Sequence, residues 1–249
     1  MSELQLKLDF PKDRLDTFDN LVVAAENQDS VDICSHFLDQ APGAPFSLVI
    51  HGPRYCGKTH LLGAMGAVAA KKVGPEAAVY LDCAALTAGK GARARFGRPE
   101  EYARAMENAH FLAVDHLEAA QDDSQLCDLV FHLFNEVTRR PGGRFAAAIG
   151  ASPPEWRFPD WLRTRLLWGH VAPIRPVGDE LRPRVLVKMA ADMRMTLPHE
   201  VAVWLVTHLP RDPESQMRVL AQVDTRSLTT GKKVSISLIK SVLEQNNGG

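Results

Sequence analysis

The chain has 249 residues, 45% of them hydrophobic, and a formal net charge of −1, enough for one sizeable core or for a large and a small domain. A balance so close to zero speaks against nucleic-acid binding driven by bulk charge, although a local basic patch would escape that test. The cysteines at 34, 56, 83 and 127 form no C-x-x-C pair and no apolar run approaches the length of a membrane span, so a zinc site, a disulfide framework and a bilayer helix are all unsupported; with no basic-then-apolar export signal, a reduced cytoplasmic protein is expected.

In chain order, the first feature is the leader Gln5-Leu6-Lys7-Leu8-Asp9-Phe10. In an extended segment Leu6, Leu8 and Phe10 project to one side, where they can fill a groove while Gln5 adds amide hydrogen bonds. An edge strand or a tail with incidental leucines is the other reading. A helix is expected near 28–39, then a buried strand over Phe46–Ile50. Gly52-Pro53-Arg54-Tyr55-Cys56-Gly57-Lys58-Thr59 follows and matches G-x-x-x-x-G-K-T at every position. Glycines let such a loop curl its N–H groups toward phosphates, Lys58 adds a point charge, and the Thr59 hydroxyl can ligate Mg²⁺. A helix over 58–72 places the positive end of its dipole under the same anion.

Further apolar runs at Ala77–Leu81, Phe111–Val114 and Phe145–Ile149 alternate with helical patterns near 99–108, 124–139 and 159–167. That alternation predicts an α/β fold, a parallel sheet between helices. The basic loop 89–98 is most simply a solvated segment. The run Phe111-Leu112-Ala113-Val114-Asp115 ends in a carboxylate, and in a parallel sheet that end opens on the ligand crevice. Asp115 there would hold Mg²⁺ through water opposite Thr59, although any buried strand can end in Asp. From about Pro176 the strand-like runs stop, and helices are expected near 179–192, 198–208, 213–225 and 235–245. This predicts a base domain over 16–175 and a small all-helical domain over 176–249, with the leader 1–15 ahead of both.

Taken together, these motifs resemble the AAA+ P-loop ATPases of the DnaA family, most closely the short regulatory homologue Hda. Thr17-Phe18-Asp19-Asn20-Leu21-Val22-Val23 is similar to the family segment lying against adenine, which assigns Val22 to the nucleotide. Leu162-Arg163-Thr164-Arg165-Leu166-Leu167-Trp168-Gly169 is similar to the box bearing the arginine finger, and Arg165 matches the finger. Gln216-Met217-Arg218-Val219-Leu220 resembles the sensor 2 helix of the lid, and Arg218 matches its arginine. The leader resembles a peptide that docks on the β subunit of the DNA polymerase sliding clamp. The resemblance implies an ADP or ATP site with Mg²⁺, and DnaA, the clamp and a further copy of the chain as partners. With the sequence ending at Gly249, no origin-reading helix-turn-helix is expected, and DNA contact should be weak or indirect.

Departures from the family pattern bear on mechanism. Where a second acid usually follows the strand-terminal aspartate, this chain has His116, and Glu118 stands two residues further on. The turn after the fourth strand offers only the Ser152 hydroxyl as a sensor. The expectation is a pocket that grips nucleotide and hydrolyses it weakly, beside an arginine that acts on a neighbour. On spacing alone, Arg165 pairing with Asp160 is the plainer reading. Alternatives to a regulator of DnaA are an autonomous ATPase motor or loader acting on DNA, and a small-molecule P-loop kinase. The tryptophans are read as packing, and the nine histidines show no metal-binding spacing.

Overall fold

The strand that feeds the glycine-rich loop lies inside the sheet, where a ligand loop can be held from both sides. In the computed structural model, which describes residues 16–39, 44–87, 106, 108–210 and 213–247, a five-stranded sheet has the order β2-β3-β4-β1-β5. Its strands are β1 (Ser47–His51), β2 (Ala78–Asp82), β3 (Phe111–Asp115), β4 (Arg144–Ile149) and β5 (His170–Pro173), and every pairing is parallel. Strands β3 and β4 are buried at every position, which explains their unbroken apolar runs. The leader residues 5–10, the basic loop 89–98 and most of the helix expected near 99–108 lie outside the described residues.

Strand β5 was not anticipated. It is short, ends in proline and buries only Ala172 fully, so it carries none of the apolar signal of an interior strand. It exists because β1 pairs with it from Leu48↔His170 to His51↔Pro173, a long-range contact that needs backbone groups rather than a particular sequence.

Helices cover the sheet. They are α1 (Gln28–His36), α2 (Lys58–Val73), the short α3 (Cys83–Thr87), α4 (Ser124–Thr138) and α5 (Asp160–Leu166). The start of α4 is set by Asp123, whose carboxylate accepts from the N–H groups of Gln125 and Leu126 at 3.0 and 3.1 Å; such an N-cap satisfies donors the helix leaves unpaired. Leu126, Val130, Leu133, Phe134 and Val137 then form one buried stripe, the spacing of a single helical face. They join Leu112, Val114, Phe145 and Ala147 in one core.

By its contacts the chain divides into two compact units, the first running to Arg175 and the second comprising Val22–Ala24 with Pro176–Gly249. The second unit contains α6 (Arg182–Asp192), α7 (His199–His208), α8 (Pro213–Thr230) and α9 (Ile236–Asn247), packed on its own core of Leu186, Ala190, Leu205, Leu220, Val223 and Ile239. Pro183 falls in the first turn of α6, where a missing N–H costs nothing. Among the described residues no helix is long and apolar enough to cross a membrane.

One close approach ties the arginine-bearing segment to the sheet. A Cβ placed on Gly169 would lie 1.9 Å from the Ser47 carbonyl oxygen, so only glycine fits against the start of β1. Gly169→Ala is expected to destabilise the first unit by about 1–3 kcal/mol, seen as a lower midpoint in thermal melts.

Candidate functional site

The glycine-rich loop is pinned at its entry. Gly52 donates its N–H to Ile149 O at 3.2 Å, and Ile174 donates to His51 O at 2.7 Å. A Cβ on Gly52 would sit 2.0 Å from Ile174 O. The turn is completed by Tyr55 at φ +63° and Gly57 at φ +100°, the left-handed region that only glycine adopts freely. Gly57 is the N-cap of α2, and Lys58 is its first residue. The Lys58 ammonium reaches back over the loop and donates to Gly52 O at 2.8 Å and Pro53 O at 2.7 Å. Pro53, Arg54 and Tyr55 are exposed, whereas Cys56 and Thr59 are half-buried.

A clasp that sequence reasoning missed lies in the same first turn of α2. His60 Nε2 stands 2.8 Å from Thr17 O and its Nδ1 3.2 Å from Asp16 Oδ1. Thr17 and Asn20 cap each other's backbone N–H groups, holding Phe18–Asn20 as a single turn. Leu21 then comes within 3.4 Å of a Cβ built on Gly57, so the segment ahead of Val22 packs on the glycine-rich loop. Val22 itself is half-buried and groups with the second unit.

Asp115 ends β3 at the carboxyl edge of the sheet, the edge from which β1 enters the glycine-rich loop. It is 1% exposed. Its two oxygens accept from the Tyr80 hydroxyl at 2.8 Å and from the His116 N–H at 2.9 Å, which satisfies a buried carboxylate while leaving lone pairs over. Tyr80 was missed as well; its phenol reaches Asp115 only because β2 pairs beside β3.

His116 is bent into the left-handed region, with φ 50° and ψ 42°. Its Nδ1–H donates to Asp82 at 3.0 Å. That hydrogen bond raises the imidazole above its ordinary range, against the opposing effect of burial. Burial pushes Asp82 upward, but the bonds from His116 and from the N–H groups of Ala85 and Ala84 outweigh it and lower the carboxyl. The position usually held by an acid is thus an imidazole occupied by a neighbouring carboxylate. Glu118 is engaged elsewhere and accepts from the Gly150 N–H at 3.0 Å. The Ser152 hydroxyl donates to Glu155 in a local capping box, so the only sensor candidate in that turn is already engaged.

Arg165 lies near the end of α5. Asp160 pairs with Arg163 at 2.7 Å, not with Arg165. On a helix, residues three apart share a face, whereas residues five apart do not. The Arg165 guanidinium instead lies over the Trp168 ring, 3.7 Å from its centroid, and 5.9 Å from that of Phe131. Among the described residues its buried Nε has no hydrogen-bond partner. Arg218, in the second unit, is an exposed residue of α8.

Residues 12–172 match the family model of the bacterial DnaA ATPase domain. The chain belongs to the DnaA family of AAA+ ATPase domains. Residues 179–243 match the lid domain of Hda, so a DnaA-type ATPase domain is joined here to an Hda-type lid. Among solved structures, the chain is similar to domain III of the replication initiation protein DnaA from Thermotoga maritima, at 22% identity with a TM-score of 0.71, covering 92% of this chain and 95% of that one. It is also similar to AMPPCP-bound DnaA from Aquifex aeolicus, at 18% identity and TM-score 0.63, covering 87% of this chain and 66% of that chain. A Thermotoga maritima RuvB variant matches at 10% identity and TM-score 0.60, over 93% and 72%. At these identities the likeness shows the AAA+ fold, a parallel sheet flanked by helices with a separate helical lid.

Proposed function

We propose that this chain is an adenine-nucleotide-binding regulator of replication initiation, which docks on the sliding clamp through residues 5–10 and supplies Arg165 to the ATP site of DnaA. Its own pocket binds ADP or ATP with Mg²⁺ and turns over weakly. The observation that carries the reading is the contrast between the two arginines of α5. Arg163 is spent on Asp160, while Arg165 has no carboxylate partner among the described residues and lies on a half-exposed tryptophan.

The residues suit a nucleotide. Gly52 and Gly57 hold a turn that side chains would block, backbone N–H groups in such a turn favour an anion, and Lys58 adds the charge. Thr59 and the buried, doubly hydrogen-bonded Asp115 would hold Mg²⁺, directly and through water. When bound, the metal neutralises phosphate charge. Val22 and Arg218 are assigned to the adenine and the lid-side contact by family resemblance. The His116 ring, fastened to Asp82, cannot take the place of a carboxylate in shape or reach, which supports slow turnover in this pocket. In a neighbour's pocket, by contrast, a guanidinium can stabilise the transition-state charge of phosphoryl transfer.

The test is ATP turnover by the purified chain alone, with DnaA, and with DnaA plus DNA-loaded clamp. Slow turnover alone and accelerated loss of DnaA-bound ATP in the full mixture is the expected pattern. Turnover stimulated by DNA without DnaA would favour a motor. Replacing both Leu8 and Phe10 by alanine should remove clamp binding, a loss of about a thousandfold in affinity for two apolar anchors, while nucleotide affinity stays unchanged. Surface plasmon resonance against the clamp reads the first, and titration calorimetry the second.

A further inference from the structure

The support beneath Arg165 is built from the core outward. Phe145 of β4 is fully buried and meets Phe134 of α4 edge-on, with ring centroids 4.9 Å apart. Phe134 meets Phe46 at 6.2 Å, and Phe46 meets Trp168 at 6.1 Å and 87°. The outermost ring of this series carries the Arg165 guanidinium at 3.7 Å. Phe131 of α4, itself packed against Trp161 at 4.9 Å, lies 5.9 Å from the same guanidinium. The backbone beyond Trp168 is fixed too, since Gly169 is pressed against β1.

Trp168 is 53% exposed, an unfavourable place for a large aromatic side chain unless its face is used. A guanidinium stacked on one face keeps its N–H groups in the plane of the fork, directed outward for two-point contact with an oxyanion. With Nε buried and unbonded, stacking rather than hydrogen bonding sets the orientation of this arginine.

We propose that Trp168 is the positioning residue for Arg165, a π-faced shelf anchored through Phe46 that holds the guanidinium ready before a partner arrives. This deepens the trans-acting reading of Arg165 and rests on it. Without the shelf the long side chain samples many rotamers, and the partner's reaction must wait for the productive one. Misplacement of a group that assists the chemistry by about 1 Å is worth on the order of a hundredfold in rate, so a ten- to hundredfold loss is expected.

The experiment compares the unmodified chain with Trp168→Leu, which keeps apolar packing on Phe46 but has no π face, and Trp168→Phe, which keeps a ring. Single-turnover hydrolysis of ATP bound to DnaA is followed with clamp on DNA at rising concentrations of each variant, with thermal melts alongside. The Arg165 Nε–H resonance is recorded on each isolated variant. The proposal expects a ring-current-shifted Nε–H signal in the unmodified chain that is lost in the leucine variant and largely kept in the phenylalanine variant. It also expects a lower saturating rate for leucine that more protein does not restore, and substantial recovery with phenylalanine. A leucine variant whose rate is normal at saturation, with only a weaker half-saturation point, would make Trp168 a contact residue and overturn the proposal. An unchanged Nε–H signal would overturn it as well. A folded, unmodified chain that fails to stimulate DnaA, even with the shifted signal present, would instead refute the trans-acting reading, and the positioning role with it.

Discussion

Arg165→Ala is expected to leave a folded, nucleotide-binding protein that no longer accelerates hydrolysis of ATP bound to DnaA. A guanidinium supplied in trans to a phosphoryl-transfer site is worth roughly 10³–10⁵ in rate. Stability should change far less. Arg165 is only half-buried, and among the described residues its Nε has no hydrogen-bond partner; its guanidinium lies over Trp168 at 3.7 Å, with Phe131 at 5.9 Å. Removing it should therefore cost at most about 1 kcal/mol, well short of the losses that follow when a buried ion-pair network is broken. Arg163→Ala supplies the internal comparison, because it breaks an exposed pair with Asp160, should change stability little and should keep stimulation. Single-turnover hydrolysis with melts of all three proteins separates the outcomes. Retained stimulation by a folded Arg165→Ala chain would end the arginine-finger assignment.

Lys58→Ala should weaken binding of both ADP and ATP. Lys58 is the only lysine of the loop, and its ammonium lies across the turn at 2.7–2.8 Å from two loop carbonyls. The charge therefore sits over the turn between β1 and α2. A charge-assisted hydrogen bond contributes about 1.5–3 kcal/mol, so roughly a ten- to hundredfold loss of affinity is expected from titration calorimetry. The fold should survive, since the freed carbonyls of Gly52 and Pro53 are reachable by water in a partly exposed loop. Clamp binding through the leader should be untouched. Equal affinity in mutant and parent would remove the phosphate-loop assignment.

What could be read beforehand, and what could not, divides by distance along the chain. The strand, glycine turn and helix around Lys58 were legible because they are contiguous, following one another from Phe46 onward. The four apolar strands and the helical C-terminal third were legible from periodicity. Arg165 shows the limit of spacing arguments. Pairing with Asp160 was the plainer expectation, yet helical geometry alone already favoured Arg163 for that partner. A count of residues per turn would have corrected it.

The sequence by itself determined the fold class, the helical second domain and the glycine-rich turn between β1 and α2, because local pattern and chain-adjacent motifs carry that information. Tertiary structure alone decided four other features. It made His170–Pro173 a strand by placing it beside β1. It brought Tyr80 to Asp115 and Asp82 to His116 by pairing β2 with β3. It fastened His60 to Asp16 and Thr17 across more than forty intervening positions, as the separation of 43 between His60 and Thr17 records. It set Trp168 on Phe46 and so gave Arg165 its shelf. Each is a meeting of side chains or backbones distant in sequence, and pairings of that kind leave no periodic trace because either partner alone is compatible with many surroundings.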